Sequence, residues 1–254
     1  ANRTQGQYIP TDKPVRAPLV AIPNLQKDLA GYTGNVQLKQ AEAFDPDPAN
    51  IDALTQRKTL KVPNGSVKLA MLPKEARGDR VNATIALQFG SVEALKGQRS
   101  NAIVTADLLF KGTSTLTRAQ IDDRIVALGG EVGISGSGTD LTINVSTTHA
   151  NIDALVALVF EVLQNANFAQ EQLDEYTSKL ITSLKSSMTE PTAIASRMLA
   201  RHDNPWAKDD IRYTPSFEES LAAITSLKRS DLVNFHKTFY GASKVSIGIV
   251  GHFN

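Results

Sequence analysis

The side chains of this chain that could bind a metal or move a proton include four histidines, His149, His202, His236 and His252. Two metal ligands on one helix face must be three or four residues apart, and no two of these histidines have such a spacing. The chain also has no cysteine, which excludes disulfides, thiolate nucleophiles and cysteine-bound zinc. The sequence therefore predicts no metal site, and we interpret His149 and His202 as surface or capping residues.

Paired carboxylates occur at Asp122-Asp123 and at Asp209-Asp210. General acid–base catalysis needs carboxylates that converge in a cleft, and adjacency in sequence does not establish convergence. The first pair lies in a predicted amphipathic helix, where neighbours point in different directions. The second pair lies in a polar loop, so neither is assigned a catalytic role.

Other chemical motifs give no candidate site. The sequence contains no G-x-S-x-G nucleophile elbow, P-loop or dinucleotide fingerprint. Gly133, Gly136 and Gly138 lie between two predicted strands and are assigned to a flexible hairpin. Trp206 and Tyr213 lie in a predicted loop, where they could contact a peptide or pack the loop onto its own domain.

One predicted helical segment nevertheless resembles a metal-binding motif in which the metal ligands have been replaced. Ala102–Thr113, AIVTADLLFKGT, ends in a run that resembles the segment after the H-x-x-E-H helix of insulinase/pitrilysin zinc peptidases. In this resemblance the two histidines fall on Ile103 and Asp107, and the catalytic glutamate falls on Ala106. The motif works because residues at i and i+4 share a helix face, while the glutamate activates the zinc-bound water. The resemblance implies that this segment cannot run the family's reaction.

The resemblance also implies a third zinc ligand, a glutamate that would fall near Ser183–Leu184. The nearest acidic residues are Glu175 and Glu190, each about two helical turns away. Zinc sites use at least three protein ligands. We therefore assign no metal ligand, no catalytic residue and no cofactor to this chain.

One carboxylate remains at the altered motif. Asp107 is expected to form a hydrogen bond or an ion pair, and Arg99 and Lys111 are its candidate partners. Its role would be structural.

Hydrophobic periodicity predicts an α+β fold. Period-two alternation predicts strands around residues 67–71, 83–89, 141–145 and 245–249, with Asn64-Gly65 as a hairpin turn. Helical spacing predicts helices over 118–128, 152–163 and 169–201, the last broken at Pro191. Thr117 with Gln120 predicts a capping box at the start of the first helix, and Ser216 with Glu219 caps another short helix. We expect one antiparallel sheet with helices packed mainly on one face.

Composition divides the chain near residue 58. Six of the eleven prolines lie in the first fifty residues, which predicts an irregular connector over 1–57 with short helical turns at Ile22–Leu29 and Ala49–Thr55. Residues 58–254 form the predicted peptidase-like domain, and the resemblance covers this same part of the chain.

Charge and hydropathy argue against a nucleic-acid partner and against a membrane-spanning segment. The formal net charge is +1, from 27 basic and 26 acidic residues without a basic cluster, so no nucleic-acid partner is expected. No apolar run reaches the roughly 18 residues that span a bilayer. The absence of cysteine fits a bacterial periplasmic protein, which is the location we expect, and it also fits a cytosolic one.

Members of the resembled family close two similar halves around a chamber, and one half carries the zinc. The resemblance implies that this chain is the connector and first domain of the other, non-catalytic C-terminal half. That domain would hold peptide substrate in a zinc-dependent metalloendopeptidase without binding zinc or hydrolysing peptides itself. Two alternatives remain open: a free-standing inactive subunit that pairs with a zinc-bearing partner, and a scaffold that has left proteolysis.

Overall fold

A computed structural model describes residues 44–63, 65–241 and 244–253. The helical turn expected at Ile22–Leu29 lies outside these residues. The turn expected at Ala49–Thr55 is confirmed by helix α1 (Pro48–Leu54), which begins after Asp47, whose side chain accepts a hydrogen bond from the Ala49 main chain. Proline suits the first position of this helix because no intrahelical partner is lost there.

Six strands form one sheet. They are β1 (Gln56–Val62), β2 (Gly65–Pro73), β3 (Arg80–Gln88), β4 (Glu131–Gly136), β5 (Asp140–Thr148) and β6 (Lys244–Gly251). Their order across the sheet is β1-β2-β6-β3-β5-β4. The last strand of the chain therefore lies near the centre, and β1 and β4 form the two edges.

Seven further helices lie in the rest of the described chain. They are α2 (Arg99–Leu108), α3 (Arg118–Ala127), α4 (Ile152–Asn165), α5 (Gln170–Ser187), α6 (Pro191–His202), α7 (Phe217–Ser226) and α8 (Arg229–Phe239). The predicted break at Pro191 is confirmed, because α5 ends before it and α6 starts on it. The predicted capping boxes at Thr117 and Ser216 are also present. No helix within the described residues is long and apolar enough to cross a bilayer.

The α+β class is confirmed, but the sheet is mixed. All neighbouring strands pair antiparallel except β2 and β6, which run parallel with Leu69 opposite Ile247. Period-two alternation is the same for both directions, so the sequence pattern could not reveal this pair. The hairpin between β1 and β2 also differs from the prediction, which placed Asn64 and Gly65 in the turn. Gly65 pairs with Val62 and is already the first residue of β2.

One face of the sheet carries the core. In β3, Val81, Ile85 and their alternate neighbours are buried, whereas Asn82, Thr84 and Gln88 are exposed. A row of apolar residues crosses the sheet at this level, formed by Ile134, Ile143, Ile85, Ile247 and Leu69. Helices cover this face, whereas the opposite face is open and mainly polar as far as the described residues go.

Removal of the central side chain in this row tests the layer arrangement. Because Ile85 has no exposed surface, Ile85→Ala should lower the free energy of unfolding by about 2–5 kcal/mol. The neighbouring change Thr84→Ala should cost less than about 1 kcal/mol, because Thr84 is exposed. Urea unfolding of both variants measures this difference, and equal losses would contradict the assignment of faces.

Candidate functional site

Helix α2 contains the positions that the family motif would use. It packs against β4 and α8, with Ala102, Val104 and Ala106 buried and Asp107 exposed. Asp107 alone among the motif positions has an atom that ligates zinc. The donor set therefore falls short of the three ligands of a zinc site.

The position of the catalytic glutamate is sealed by packing. Ala106 is 2% exposed, and its methyl group faces the backbone of β4 at Gly136. A Cβ added at Gly136 would lie 2.5 Å from the Ala106 Cβ, so the glycine allows helix and strand to approach this closely. A longer side chain at position 106 has no room. Gly133 and Gly136 thus belong to β4, where Gly136 serves close packing, which corrects their assignment to a flexible hairpin, whereas Gly138 lies in the turn between β4 and β5.

Two of the three positions onto which the resemblance places zinc ligands line a cleft between α2 and α5. Ile103 on α2 and Leu184 on α5 contribute to its wall, and the cleft has a volume of about 550 Å³. Tyr176, Leu180 and Leu184 line it together because they are four residues apart on one face of α5. We call this space the α2–α5 cleft.

Asp107 is held by a tyrosine. Its carboxylate accepts a hydrogen bond from the Tyr176 hydroxyl of α5. Partial burial and the hydrogen bond to Asp107 raise the pKa of Tyr176 above its ordinary value. The expected partners were wrong, because Arg99 donates to the Ile211 carbonyl and the Lys111 ammonium forms no ion pair within 4.0 Å among the described residues. A contact between two helices cannot be read from spacing within one helix.

A glutamate at the start of α7 organises the loop that closes the cleft. The Glu219 carboxylate lies 2.5 Å from the Lys208 ammonium and 3.0 Å from Arg201 Nη1. It also accepts hydrogen bonds from the Tyr213 hydroxyl at 2.9 Å and from the Ser216 main-chain N–H at 2.8 Å. Hydrogen bonding from Lys208, followed by that from Ser216 and Tyr213, lowers the pKa of Glu219 from 4.5 to about 2. The Glu219 carboxylate therefore fixes the loop 203–216 by accepting hydrogen bonds from several donors at once.

Two arginines line the same cleft without an acidic partner. Arg99 Nη1 donates to the Ile211 carbonyl at 3.0 Å, and Arg197 Nη1 donates to the Pro215 carbonyl at 2.9 Å. Within the described residues neither guanidinium lies within 4.0 Å of a carboxylate oxygen. Partial burial and the nearby charge of Arg197 lower the pKa of Arg99.

The histidines do not converge on a site. The rings of His149 and His252 stack with centroids 5.1 Å apart, and His252 Nδ1 lies 3.3 Å from the Asp79 carboxylate. His149 is half-buried, so its assignment to the surface was incomplete. His236 bonds a main-chain carbonyl of α4 at 2.8 Å, and His202 is exposed at the end of α6. No group of three histidine or acidic side chains within residues 44–63, 65–241 and 244–253 could hold a metal ion.

The paired carboxylates remain apart from any catalytic arrangement. Asp122 lies 3.8 Å from Arg118 one turn earlier on exposed α3. Asp210 forms a two-bonded pair with Arg212 at 2.9 and 2.7 Å, and this guanidinium stacks over the Trp206 ring. Both aspartates are therefore occupied by local arginines.

Sequence reasoning missed the cleft, the Arg99–Arg197 pair and the donors around Glu219. The four-residue spacing of Tyr176, Leu180 and Leu184 was a signal for one lining face. No sequence signal linked that face to the loop 203–216, because their contact depends on how α5, α6 and α7 pack.

Substitution of the sealed position tests the packing of α2 on β4. Ala106→Glu should lower the free energy of unfolding by about 2 kcal/mol or more, because the carboxylate would be forced into a filled, apolar contact. Ala119→Glu, the same change at an exposed position of α3, should have little effect. Chemical denaturation measures both, and a stable Ala106→Glu protein would show that the contact is loose.

Acid titration tests the role of Glu219. Its folded-state pKa of about 2 is below its ordinary 4.5, so its stabilising contribution is present above pH 4.5 and is lost as the pH falls toward 2. Wild type should melt at a higher temperature than Glu219→Gln near pH 6, and the difference should shrink as the pH falls through this window. Hydrogen bonding from Arg212 lowers the pKa of Asp210 to about 2 as well, but Asp210 is present in both proteins, so its contribution to the melting temperature cancels in the comparison. A difference that does not depend on pH would refute the assigned role.

Comparisons with known proteins identify relatives of this chain. A model of the insulinase family (peptidase family M16) matches residues 70–208, more than half of the chain. A probable mitochondrial-processing peptidase subunit beta of Arabidopsis thaliana is 24% identical over 147 residues, which cover 57% of this chain and 26% of that protein. The chain thus spans about a quarter of the length of this curated relative.

Solved structures of similar fold include two bacterial proteins. The peptidase M16 inactive domain from Pseudomonas fluorescens superimposes with a TM-score of 0.64 at 17% identity, covering 78% of this chain and 47% of that one. A protease from Helicobacter pylori gives a TM-score of 0.64 at 18% identity, covering 79% and 47%. The chain spans about half the length of each. These likenesses establish a shared fold, and the match to the family model shows that this chain belongs to the insulinase family, peptidase family M16.

Proposed function

We propose that this chain is a non-catalytic, substrate-holding domain of a zinc metalloendopeptidase of the insulinase family. The observation that carries the proposal is the sealed contact of Ala106 with Gly136. The position of the catalytic base carries a methyl group and lacks the space for a carboxylate. A base would be needed to activate water, so hydrolysis would depend on another part of the protein.

The side chains at the expected zinc-ligand positions also support a domain that does not bind zinc. Ile103 and Leu184 present hydrocarbon to the α2–α5 cleft, and the Asp107 carboxylate is engaged by the Tyr176 hydroxyl. These residues do not fit zinc, which needs at least three nitrogen, oxygen or sulfur ligands. In the proposal the zinc is held by a catalytic half, in the same chain or in a partner subunit.

The open face of the sheet is suited to form a chamber wall. Lys68, Thr84, Asn144 and Ser246 lie on this face, which has a shallow depression of about 400 Å³ beside β1 and β2. Polar side chains there can hydrogen-bond an extended peptide. Among the described strands β1 and β4 have a free edge, where a peptide could add as a further strand.

A separate-subunit arrangement is the second candidate. The relative from Arabidopsis thaliana is named as a subunit, which favours a form in which the inactive and zinc-bearing parts are different chains. In this form the surface of the present domain would bind a whole partner protein rather than a covalently linked half.

Zinc content and peptidase activity together test the proposal. The purified chain, dialysed against zinc-free buffer, should hold far less than one zinc per chain by elemental analysis and should leave a fluorogenic peptide mixture intact. Addition of a zinc-bearing M16 half encoded with it should raise hydrolysis at least about tenfold, because a completed chamber positions substrate.

The zinc-bearing half with its catalytic glutamate changed to glutamine is the control, and this mixture should stay inactive. Stoichiometric zinc together with hydrolysis by the isolated chain would overturn the proposal. Full activity of the catalytic half without this chain would show that the chain has another role.

A further inference from the structure

The α2–α5 cleft combines charge and apolar surface in a way that suits one kind of ligand. We propose that it binds the carboxyl terminus of a peptide that ends in an apolar residue, with Arg99 and Arg197 holding the carboxylate. The site would replace the lost metal site with an anion site on the same helix face. The inference rests on the proposed function in one respect, since it takes the ligand to be a peptide.

The position of Arg99 is electrostatically unfavourable in the free protein. It is the first residue of α2, where the helix dipole opposes a positive charge. It is partly buried and lies near the like charge of Arg197, and both conditions disfavour its charged form. Such a charge is costly unless an anion compensates it. A bound carboxylate would relieve all three effects.

The guanidinium groups keep donors for that anion. Each arginine uses Nη1 for one main-chain carbonyl, at Ile211 or at Pro215. An arginine has five N–H donors, so several remain on each side chain. Two guanidinium groups facing one cleft match the two oxygens of a carboxylate.

Two of the three acidic residues of the cleft wall are already paired with other cations. Glu219 is held by Lys208 and Arg201, and Asp210 is held by Arg212. Asp209 is exposed, and neither Arg99 nor Arg197 has its carboxylate within 4.0 Å. The Arg197 guanidinium also lies over the Phe217 ring, 4.6 Å from its centroid, but a ring does not neutralise a charge. The two arginines therefore keep their positive charge for an anionic ligand.

Apolar surface lies one helical turn from the charge. Ile103 follows Arg99 by four residues, about 6 Å along the axis of α2, and Leu180, Leu184 and Ala223 line the same space. A C-terminal residue carries its carboxylate and its side chain on one Cα, so a leucine-sized residue spans this distance. The cleft volume of about 550 Å³ is within the range of ligand pockets.

Peptide binding to the purified chain tests the site. The probe is a fluorescein-labelled peptide, Gly-Ser-Gly-Ala-Ala-Leu, with a free carboxyl terminus, followed by fluorescence anisotropy. It should bind at least about tenfold more tightly than the same peptide with an amidated terminus, because the amide loses the charge-assisted hydrogen bonds. This comparison uses the wild-type protein and needs no variant.

Two variants locate the binding. Arg99→Gln and Arg197→Gln should each weaken binding of the free-acid peptide about tenfold and leave the amidated peptide unchanged. Arg77→Gln, which removes an exposed arginine far along the chain from the cleft, is the matched control and should bind like wild type. Thermal melting verifies that each variant is folded, and Arg99→Lys and Arg197→Lys provide charge-retaining substitutes where a glutamine variant does not fold.

Three outcomes would overturn the inference. They are equal binding of the acid and the amide, no binding of the acid at about 1 mM, and equally tight binding of an amidated peptide with an internal aspartate. The last result would assign the site to acidic side chains. These results are independent of zinc content and hydrolysis, so the proposed function can fail while the carboxylate site stands, and the reverse is equally observable.

Discussion

The close contact between Ala106 of α2 and Gly136 of β4 is the constraint on which the site depends. It needs the smallest side chains on both sides, and it fixes the helix directly on the sheet. That position turns Ile103 and Asp107 toward α5 and away from the core. The same contact therefore leaves no room for a longer side chain at position 106 and creates the wall of a cleft.

Electrostatics divide this cleft into a satisfied part and an unsatisfied part. Around Glu219, donors from Lys208, Arg201 and Tyr213 converge on one carboxylate, which holds the loop 203–216 against α6 and α7. Arg99 and Arg197, by contrast, donate to main-chain carbonyls, and the Arg197 guanidinium also lies 4.6 Å from the centroid of the Phe217 ring. The first group stabilises the fold through paired opposite charges, whereas no carboxylate of the described residues neutralises the second. This contrast is the physical reason to look for a ligand at the arginines.

Much of the fold follows from local pattern. The alternation in β3 and β5 predicted which residues face the core, and the capping boxes at Thr117 and Ser216 predicted where two helices begin. These features depend on neighbours within a few residues. The parallel pairing of β2 with β6 did not follow, because strand direction depends on a connection that passes through all the intervening helices.

The sequence by itself determined the α+β class and the strand faces, and it places side chains without a metal-binding or basic atom at Ile103 and Ala106. Residue type decides donor chemistry, so no packing could supply it. Only the tertiary structure decided that Asp107 pairs with Tyr176 and that Arg99 and Arg197 line one cleft. These two arrangements bring together residues about seventy and one hundred positions apart, and their geometry exists only once α2, α5 and α6 have packed together.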